Sequence, residues 1–574
     1  MLKSSYINAT AGSTVLYRCL LYLASCGVTI LERWVPSLSL YSSKTKRVLS
    51  RLYYFPYCKY FLANIFKLHS SKDEPQKTIL QPVISSPEWN QALSRFTAPS
   101  NRKTPIIMIC GPKGSGKSTF AKLLMNRLLS PAAENINRAS EIEKAPGMAI
   151  LDLDSGQPEY SVQGQLSLIH LNELNFGPQF THPVPGNQSR IIRAHTVGAV
   201  TPSLDPALYM ECVLDLFAHY HNLLSTIPKC PLVINTPGWV FGTGLEILVE
   251  LITKCQPTEV VYMSLDGPRE VVETLQEAAK TTSILTLPAQ GSEYTTRTAA
   301  HLRTMQALSY FHLKPSNERN LAWDGRPLTS LPPWEVGYSG KSAGILGIMC
   351  YGKQPPASLL LEAINGSLLA IVVVEDMIAI PGCSSEKEGD STDRGLTDLD
   401  TSQLHFQMQK LQTPLIIHTP KENLPYFNPE NTISLSPRHS HCLGLALLRG
   451  IDIPRQKLQL LTPISPKIIQ DINEEGKFII LVSGKLDTPG WAYVEELVQM
   501  DGTKKEHQKE KVGGNEDTKG AGKEMIEMIK DSQDQVKCMG DVPWVEKLKG
   551  SQGRGISARV WRVRRDLGRG TYVE

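Results

Sequence analysis

The sequence predicts an α/β protein of the P-loop NTPase type, in which a doubly wound parallel sheet is followed by a β-rich C-terminal domain. Three observations carry that prediction. The string Gly111-Pro-Lys-Gly-Ser-Gly-Lys-Ser118 fits GxxxxGK[ST] at every fixed position. From about residue 87 to 325, continuous apolar runs alternate with stretches of helical spacing, as in a sheet covered on both faces. Beyond Pro332-Pro333 the runs become short and β-rich, and helical periodicity grows sparse.

The elements follow in order. Ile106 to Ile109 is an apolar strand that leads into the glycine loop, and Lys117 to Leu129 continues as a helix. Met148 to Leu153, Leu232 to Asn235 and Val260 to Leu265 supply three more buried strands, while Leu245 to Lys254 and Glu270 to Ala279 carry helical spacing. In the second domain the strands are expected at Ala343 to Cys350, Leu368 to Val374, Leu415 to His418, Leu443 to Leu448 and Phe478 to Ser483, around an acidic loop at 384–402. The domains are therefore expected at 1–86, an atypical segment, at 87–325, the P-loop domain, and at 326–574. Within the last, 501–535 is dense in Lys, Glu, Asp and Gly and reads as disordered.

Composition excludes several classes. Hydrophobic residues are 41% and charged residues 20%, ordinary for a globular chain, and the formal charge of +4 gives no global polyanion-binding field. Eleven scattered cysteines without a CxxC pair argue against a disulfide framework or zinc module. His439, His441 and Cys442 stand close together, but no second ligand pair lies nearby, so a metal site is not expected there. Thr14 to Ile30 has about the length of a short membrane span, yet Arg18 lies inside it. The first sixty residues carry eight Lys or Arg against the single acid Glu32, as a transit peptide would. Targeting segment, anchor or neither all stay open, and membrane association is not expected.

The loop dictates phosphate chemistry. Gly111, Gly114 and Gly116 let backbone N–H groups turn inward around phosphates, with Pro112, Lys113, Ser115 and Thr119 completing the cradle. Lys117 supplies a point charge to the β- and γ-phosphates, and the Ser118 hydroxyl is a Mg²⁺ ligand at a helix N-terminus. Asp152-Leu-Asp154-Ser-Gly-Gln157 closes the second strand, and alternation sends both acids to one side. One can serve Mg²⁺ while the other takes a proton from an attacking hydroxyl. No NKxD string is present, so guanine-specific GTPases are not indicated.

Further strings carry a resemblance. GPKGSGKSTF (111–120), LDLDSGQPE (151–159), GAVTPSLDPALY (198–209), INTPGWVFGTG (234–244) and RTAAHLRTMQALSYFH (297–312) occur in sequence. Together they resemble the polynucleotide 5′-hydroxyl kinases of RNA processing, most nearly the ribosome-biogenesis branch. LGLALLRGIDIPRQKLQLLTP (443–463), LVSGKLDTPGWAY (481–493) and WRVRRDL (561–567) are similar to that branch's C-terminal domain.

The resemblance implies roles. Asp154 would be the general base toward an RNA 5′-hydroxyl, and Asp152 and Gln157 would support the metal and the attacking end. Thr201 and Pro202 fall in the clasp that grips the first nucleotides. Trp239 would stack on a terminal base, and Asn235 and Thr236 would hold its loop. Arg303 matches the lid arginine that closes over the transferring phosphoryl group, with Arg297 a weaker candidate. Phe241 stands where relatives usually carry lysine, and only residues 1–86 precede the core where the family has a folded domain.

The implied activity is Mg²⁺- and ATP-dependent phosphorylation of 5′-hydroxyl RNA in pre-rRNA spacer processing. The implied partner is an endoribonuclease bound through the C-terminal domain, and the implied location is the nucleus and nucleolus. A non-catalytic ATP-binding scaffold and a nucleoside or small-molecule kinase are the alternatives. The arginines 554, 559, 562, 564, 565 and 569 read either as a grip on RNA phosphates or as the charged face of an edge strand, and the resemblance, whose family folds this segment into its C-terminal domain, favours a strand beside a basic surface.

Overall fold

The computed structural model describes residues 85–98, 104–130, 147–186, 188–265, 267–280, 282–290, 298–314, 321–340, 343–380, 415–431 and 433–495. The expectations for residues 1–84, Arg297, the loop 384–402, the stretch 501–535 and the arginine-rich ending lie outside the described residues.

Among the described residues, those up to Gly490 belong to one compact unit holding two sheets, and the passage near residue 326 falls inside it. The first sheet has seven strands: β1 (Ile106–Cys110), β2 (Met148–Asp152), β3 (Gln165–Leu171), β4 (Arg190–Thr196), β5 (Leu232–Asn235), β6 (Glu259–Met263) and β7 (Ser283–Leu287). Their order is β4-β3-β2-β5-β1-β6-β7. The run from β2 to β7 is parallel, as expected.

β3 and β4 pair antiparallel at the edge, which the sequence reading did not include. The link from β2 to β3 contains no helix, and without a crossover the chain can only return antiparallel beside the strand it left.

Helices cover both faces. On one lie α1 (Pro87–Thr97) and α2 (Lys117–Leu129), whose Trp89, Phe120 and Leu124 bury Ile107, Ile109 and Ile150. On the other lie α3 (Pro206–Thr226), α4 (Thr243–Cys255) and α5 (Arg269–Ala278), against Met108, Ala149, Leu151 and Ile234. Alternate strand residues thus serve opposite cores, which is why the strands read as continuous apolar runs. Asp205 starts α3 by accepting from the Leu208 N–H at 3.0 Å, with Pro206 in the first turn. α6 (Ala299–Phe311) starts in a capping box between Thr298 and His301.

The second sheet has eight strands: β8 (Trp334–Gly337), β9 (Gly347–Cys350), β10 (Leu368–Val374), β11 (Ile416–His418), β12 (Pro425–Phe427), β13 (Ser440–Asp452), β14 (Lys457–Leu461) and β15 (Phe478–Ser483). One face buries α7 (Leu360–Ile364) and Ile472 of α8 (Pro466–Glu474). The sheets are joined by polar side chains. Buried Arg193 on β4 reaches Asp215 at 2.8 Å, both oxygens of Glu375 at 3.1 and 3.0 Å, and the carbonyls of Pro437 and Ser440. A buried guanidinium is tolerated only when its donors are met in this way. His441 pairs with Glu375 at 2.9 Å, and Cys442 accepts from Gln165, so neither stands in a ligand cluster. The six described cysteines are free and buried.

Candidate active site

The phosphate loop follows β1 with the backbone its glycines permit. Gly111, Gly114 and Gly116 have φ of +141°, +80° and +95°, a region closed to most side chains. A Cβ on Gly111 would also press on the Met263 backbone at 3.0 Å. Lys113, Gly114 and Ser118 are exposed, Pro112, Gly116 and Thr119 half-buried, and Gly111, Ser115 and Lys117 buried. The Lys117 ammonium donates to the Pro112 carbonyl at 3.0 Å, closing the loop on itself. Burial pulls its pKa down, while Asp154 pulls it up. The buried Ser115 hydroxyl has no partner among the described residues, as a cradle awaiting phosphate oxygens should leave it.

Asp152 ends β2 fully buried. Its Oδ1 accepts from the Asn235 side chain at 2.9 Å and its Oδ2 from the Glu159 N–H at 2.6 Å. Burial raises its pKa to about 7 against those two donors. Asp154 lies beyond the strand end and is half-buried. Its Oδ1 accepts from the N–H groups of Gly156 and Gln157 at 3.0 and 3.1 Å, while Oδ2 has no partner among the described residues. Burial raises its pKa, and Lys117 and Arg303 both oppose that rise. The two cations assigned from sequence therefore act on the same carboxylate.

Three segments close around it. Asn235 and Thr236 end β5, and the Thr236 hydroxyl, fully buried, donates to the Ile109 carbonyl at 2.9 Å. The Asn235 carbonyl oxygen of the side chain is buried without a partner among the described residues. Trp239 is half-buried across the first turn of α4, where a Cβ on Gly244 would meet its ring at 2.7 Å. Phe241, 55% exposed, is the open aromatic of this loop.

The segment that leads into Thr201 and Pro202 lies against the acidic turn, since a Cβ on Gly156 would come within 2.8 Å of the Val200 carbonyl. Thr201 is exposed and accepts from the Ser203 N–H at 3.2 Å, and Pro202 beside it is buried. Gln157 holds the Gln179 side chain through its carbonyl at 2.9 Å.

Arg303 sits on the second turn of α6. One turn on, buried Gln306 donates to the carbonyls of Pro158 and Ser161 at 2.8 and 2.6 Å, docking the helix on the turn that carries Asp154.

Four positions that shape the candidate site escape the sequence reading. Gly238 is required because a Cβ there would lie 2.8 Å from Lys113 Cα, so the Trp239 loop rests on the phosphate loop itself. Glu159 is buried between Lys122 of α2 at 2.7 Å and His182 at 2.9 Å while its N–H holds Asp152. Gln306 and Asp487 are the others, and Asp487 meets Arg303 at 2.6 Å. Glu159 and Asp487 stand inside strings that carry the resemblance, but their partners are remote in sequence and only the fold pairs them.

The residues present here would suit a nucleotide and a divalent metal. The positive-φ glycines, the orphaned Ser115 hydroxyl and buried Lys117 suit phosphates. The Ser118 hydroxyl and the Asp152 and Asp154 carboxylates are hard oxygen donors of the kind Mg²⁺ takes.

Residues 111–313 match the family described as the mRNA cleavage and polyadenylation factor CLP1 P-loop. The chain is 40% identical over 513 residues to polynucleotide 5′-hydroxyl-kinase GRC3 of Gibberella zeae, covering 88% of this chain and 66% of that protein. It is 36% identical over 531 residues to the corresponding kinase of Aspergillus oryzae, covering 87% and 63%. The chain thus spans under two thirds of the length of these relatives. A solved Clp1p–Pcf11p complex aligns with a TM-score of 0.42 at 16% identity, covering 69% of this chain and 78% of that one. Residues 111–313 are thus similar to the CLP1 P-loop family, and over most of its length the chain is similar to proteins named polynucleotide 5′-hydroxyl-kinase.

Proposed function

We propose that this chain is an ATP-dependent kinase that phosphorylates the 5′-hydroxyl end of RNA. The observation that carries the reading is Asp154. Its Oδ2 has no partner among the described residues, Lys117 and Arg303 act on the carboxylate, and the proposed clasp packs on its turn. The relatives named as polynucleotide 5′-hydroxyl-kinases support the same activity.

In this mechanism the phosphate-loop N–H groups and Lys117 hold the β- and γ-phosphates. Asp154 Oδ2 takes the proton from the RNA 5′-hydroxyl as its oxygen bonds to the γ-phosphorus. The bond from that phosphorus to the β–γ bridging oxygen breaks, and ADP and 5′-phospho-RNA leave. Arg303 neutralises charge on the transferring group, the kind of electrostatic help on which phosphoryl transfer depends. Mg²⁺, held by Ser118 and, through water, Asp152, would neutralise phosphate charge when bound.

Thr201 and Pro202 would flank the first nucleotides, and Trp239 with exposed Phe241 would offer π-faces that tolerate any base. The acceptor would be the fragment left by endonucleolytic cleavage of pre-rRNA. An endoribonuclease would bind through the β-rich domain, and the pair would work in the nucleus, at the nucleolus. No described helix is long and apolar enough to cross a membrane.

The test is transfer of labelled γ-phosphate to a 5′-hydroxyl oligoribonucleotide, with nucleosides as competing acceptors. Transfer to the oligonucleotide that nucleosides do not suppress is expected. Nucleotide binding without transfer would instead identify an ATP-binding scaffold.

A further inference from the structure

Arg303 does not approach the site alone. Its Nε donates to Asp487 Oδ2 at 2.6 Å and its Nη2 to Asp487 Oδ1 at 3.3 Å. This side-on pairing uses one edge of the guanidinium, and Nη1 has no partner among the described residues. The pair is not a loose surface contact, with the arginine side chain only 14% exposed and the aspartate 33%.

Both ends are fixed. α6 is docked through Gln306 and, further on, through the Tyr310 hydroxyl, which accepts from the Leu445 N–H at 3.1 Å. Asp487 follows β15 in a segment that leaves the second sheet and lies along the clasp. There Lys485 N–H donates to the Gly198 carbonyl at 2.6 Å and bridges Ala199. Gly484 packs on Gly198 too closely for any Cβ, and Leu486 lies where a Cβ on Gly164 would stand, at 2.6 Å. A segment so held delivers its carboxylate to one place.

We infer that Asp487, a residue of the β-rich domain, is the positioning residue that fixes the Arg303 guanidinium with its free Nη1 edge toward the transferring phosphoryl group. A long side chain otherwise spreads over many rotamers, and a small misplacement of a charge-stabilising group is costly in rate. The same contact couples the second sheet and the clasp to the site, so a ligand that shifts residues 484–487 acts on the rate through Arg303. The inference rests on the proposed kinase reading for the identity of the phosphoryl group.

The test is a double-mutant cycle with Asp487→Ala, Arg303→Ala and the pair, run beside Asp487→Asn, which keeps size and removes charge. The readouts are kcat and KM for transfer to a 5′-hydroxyl oligoribonucleotide, and affinity for MgADP with aluminium fluoride, a mimic of the transferring group. Both Asp487 variants are expected to lower kcat by on the order of 10²-fold with KM changed less than about threefold. In the Arg303→Ala background the further loss is expected to vanish, and analogue affinity is expected to follow the same pattern. Losses that add in the double variant, or a rise in kcat on removing Asp487, would overturn the inference. If the wild-type chain transfers nothing, the kinase reading falls, and the analogue cycle still decides whether Asp487 acts through Arg303.

Discussion

The Asn235 side chain donates to Asp152 Oδ1 at 2.9 Å, tying together the last residues of neighbouring strands β5 and β2 at the edge where the phosphate loop emerges. This bond also opposes the burial that lifts Asp152 to about 7. Asp152 keeps its proton more readily folded than unfolded, so its contribution to stability is lost as pH rises from its ordinary 3.8 through about 7. Asn235→Ala is expected to destabilise the fold by about 1–3 kcal/mol at pH 8, where the carboxylate is ionised. At pH 6 the cost should be smaller. Urea unfolding at the two pH values checks this, and equal costs would contradict it.

Glu159 gives the opposite sign. Burial pushes its pKa up, but Lys122 and His182 together outweigh that and hold it at about 2. Burial also keeps His182 below its usual value, so Lys122 is the charge that pairs at neutral pH. The stability from Glu159 is therefore present above its ordinary 4.5 and lost as pH falls toward 2. Glu159→Gln is expected to cost about 3 kcal/mol at pH 7, as breaking a buried pair does. The gap in melting temperature from wild type should narrow as pH falls below 4.5.

Arg303 lowers the pKa of Asp154, against the rise that burial imposes. Arg303→Ala should cut kcat by about 10³-fold, the scale of an arginine that stabilises transferring phosphate. It should also move the acidic limb of kcat/KM for ATP to higher pH, because the base then keeps its proton longer. A pH–rate profile on both proteins reads the two effects separately. A lower rate with an unmoved limb would place the guanidinium away from Asp154.

Gly238 tests how tightly the loops interlock. Its missing Cβ leaves room for Lys113, whose Cα would otherwise be 2.8 Å away. Gly238→Ala is expected to displace the phosphate loop and raise KM for ATP on the order of tenfold. An unchanged KM would show that the two loops yield to each other freely.

Much of this was legible in the sequence because each signal was local. The helix Lys117–Leu129 and the strand Leu232–Asn235 match their predicted runs, since the glycine loop marks one and buried apolar residues mark the other. Lys117 and Asp154 come from contiguous strings. β3 and β4 were missed because QLSLIHL and RIIRAHT mix polar and apolar residues, although most of both strands is buried. Several of their polar groups are met by remote partners, as Arg193 is by Asp215, Glu375 and two carbonyls. Glu159, Gln306 and Asp487 have the same character: each satisfies a group that only the folded chain brings near.

The central claim is that Lys117, Asp154 and Arg303 converge to pass a phosphoryl group to an RNA end. The most direct measurement is transfer of labelled γ-phosphate from ATP to a 5′-hydroxyl oligoribonucleotide by wild type, Lys117→Ala and Asp154→Asn. Wild type should label the RNA. Lys117→Ala should fall by about 10²–10³-fold or more, and Asp154→Asn by about 10²–10⁴-fold while still binding nucleotide. Labelling by Asp154→Asn at the wild-type rate, or none by wild type under saturating MgATP, would contradict the account.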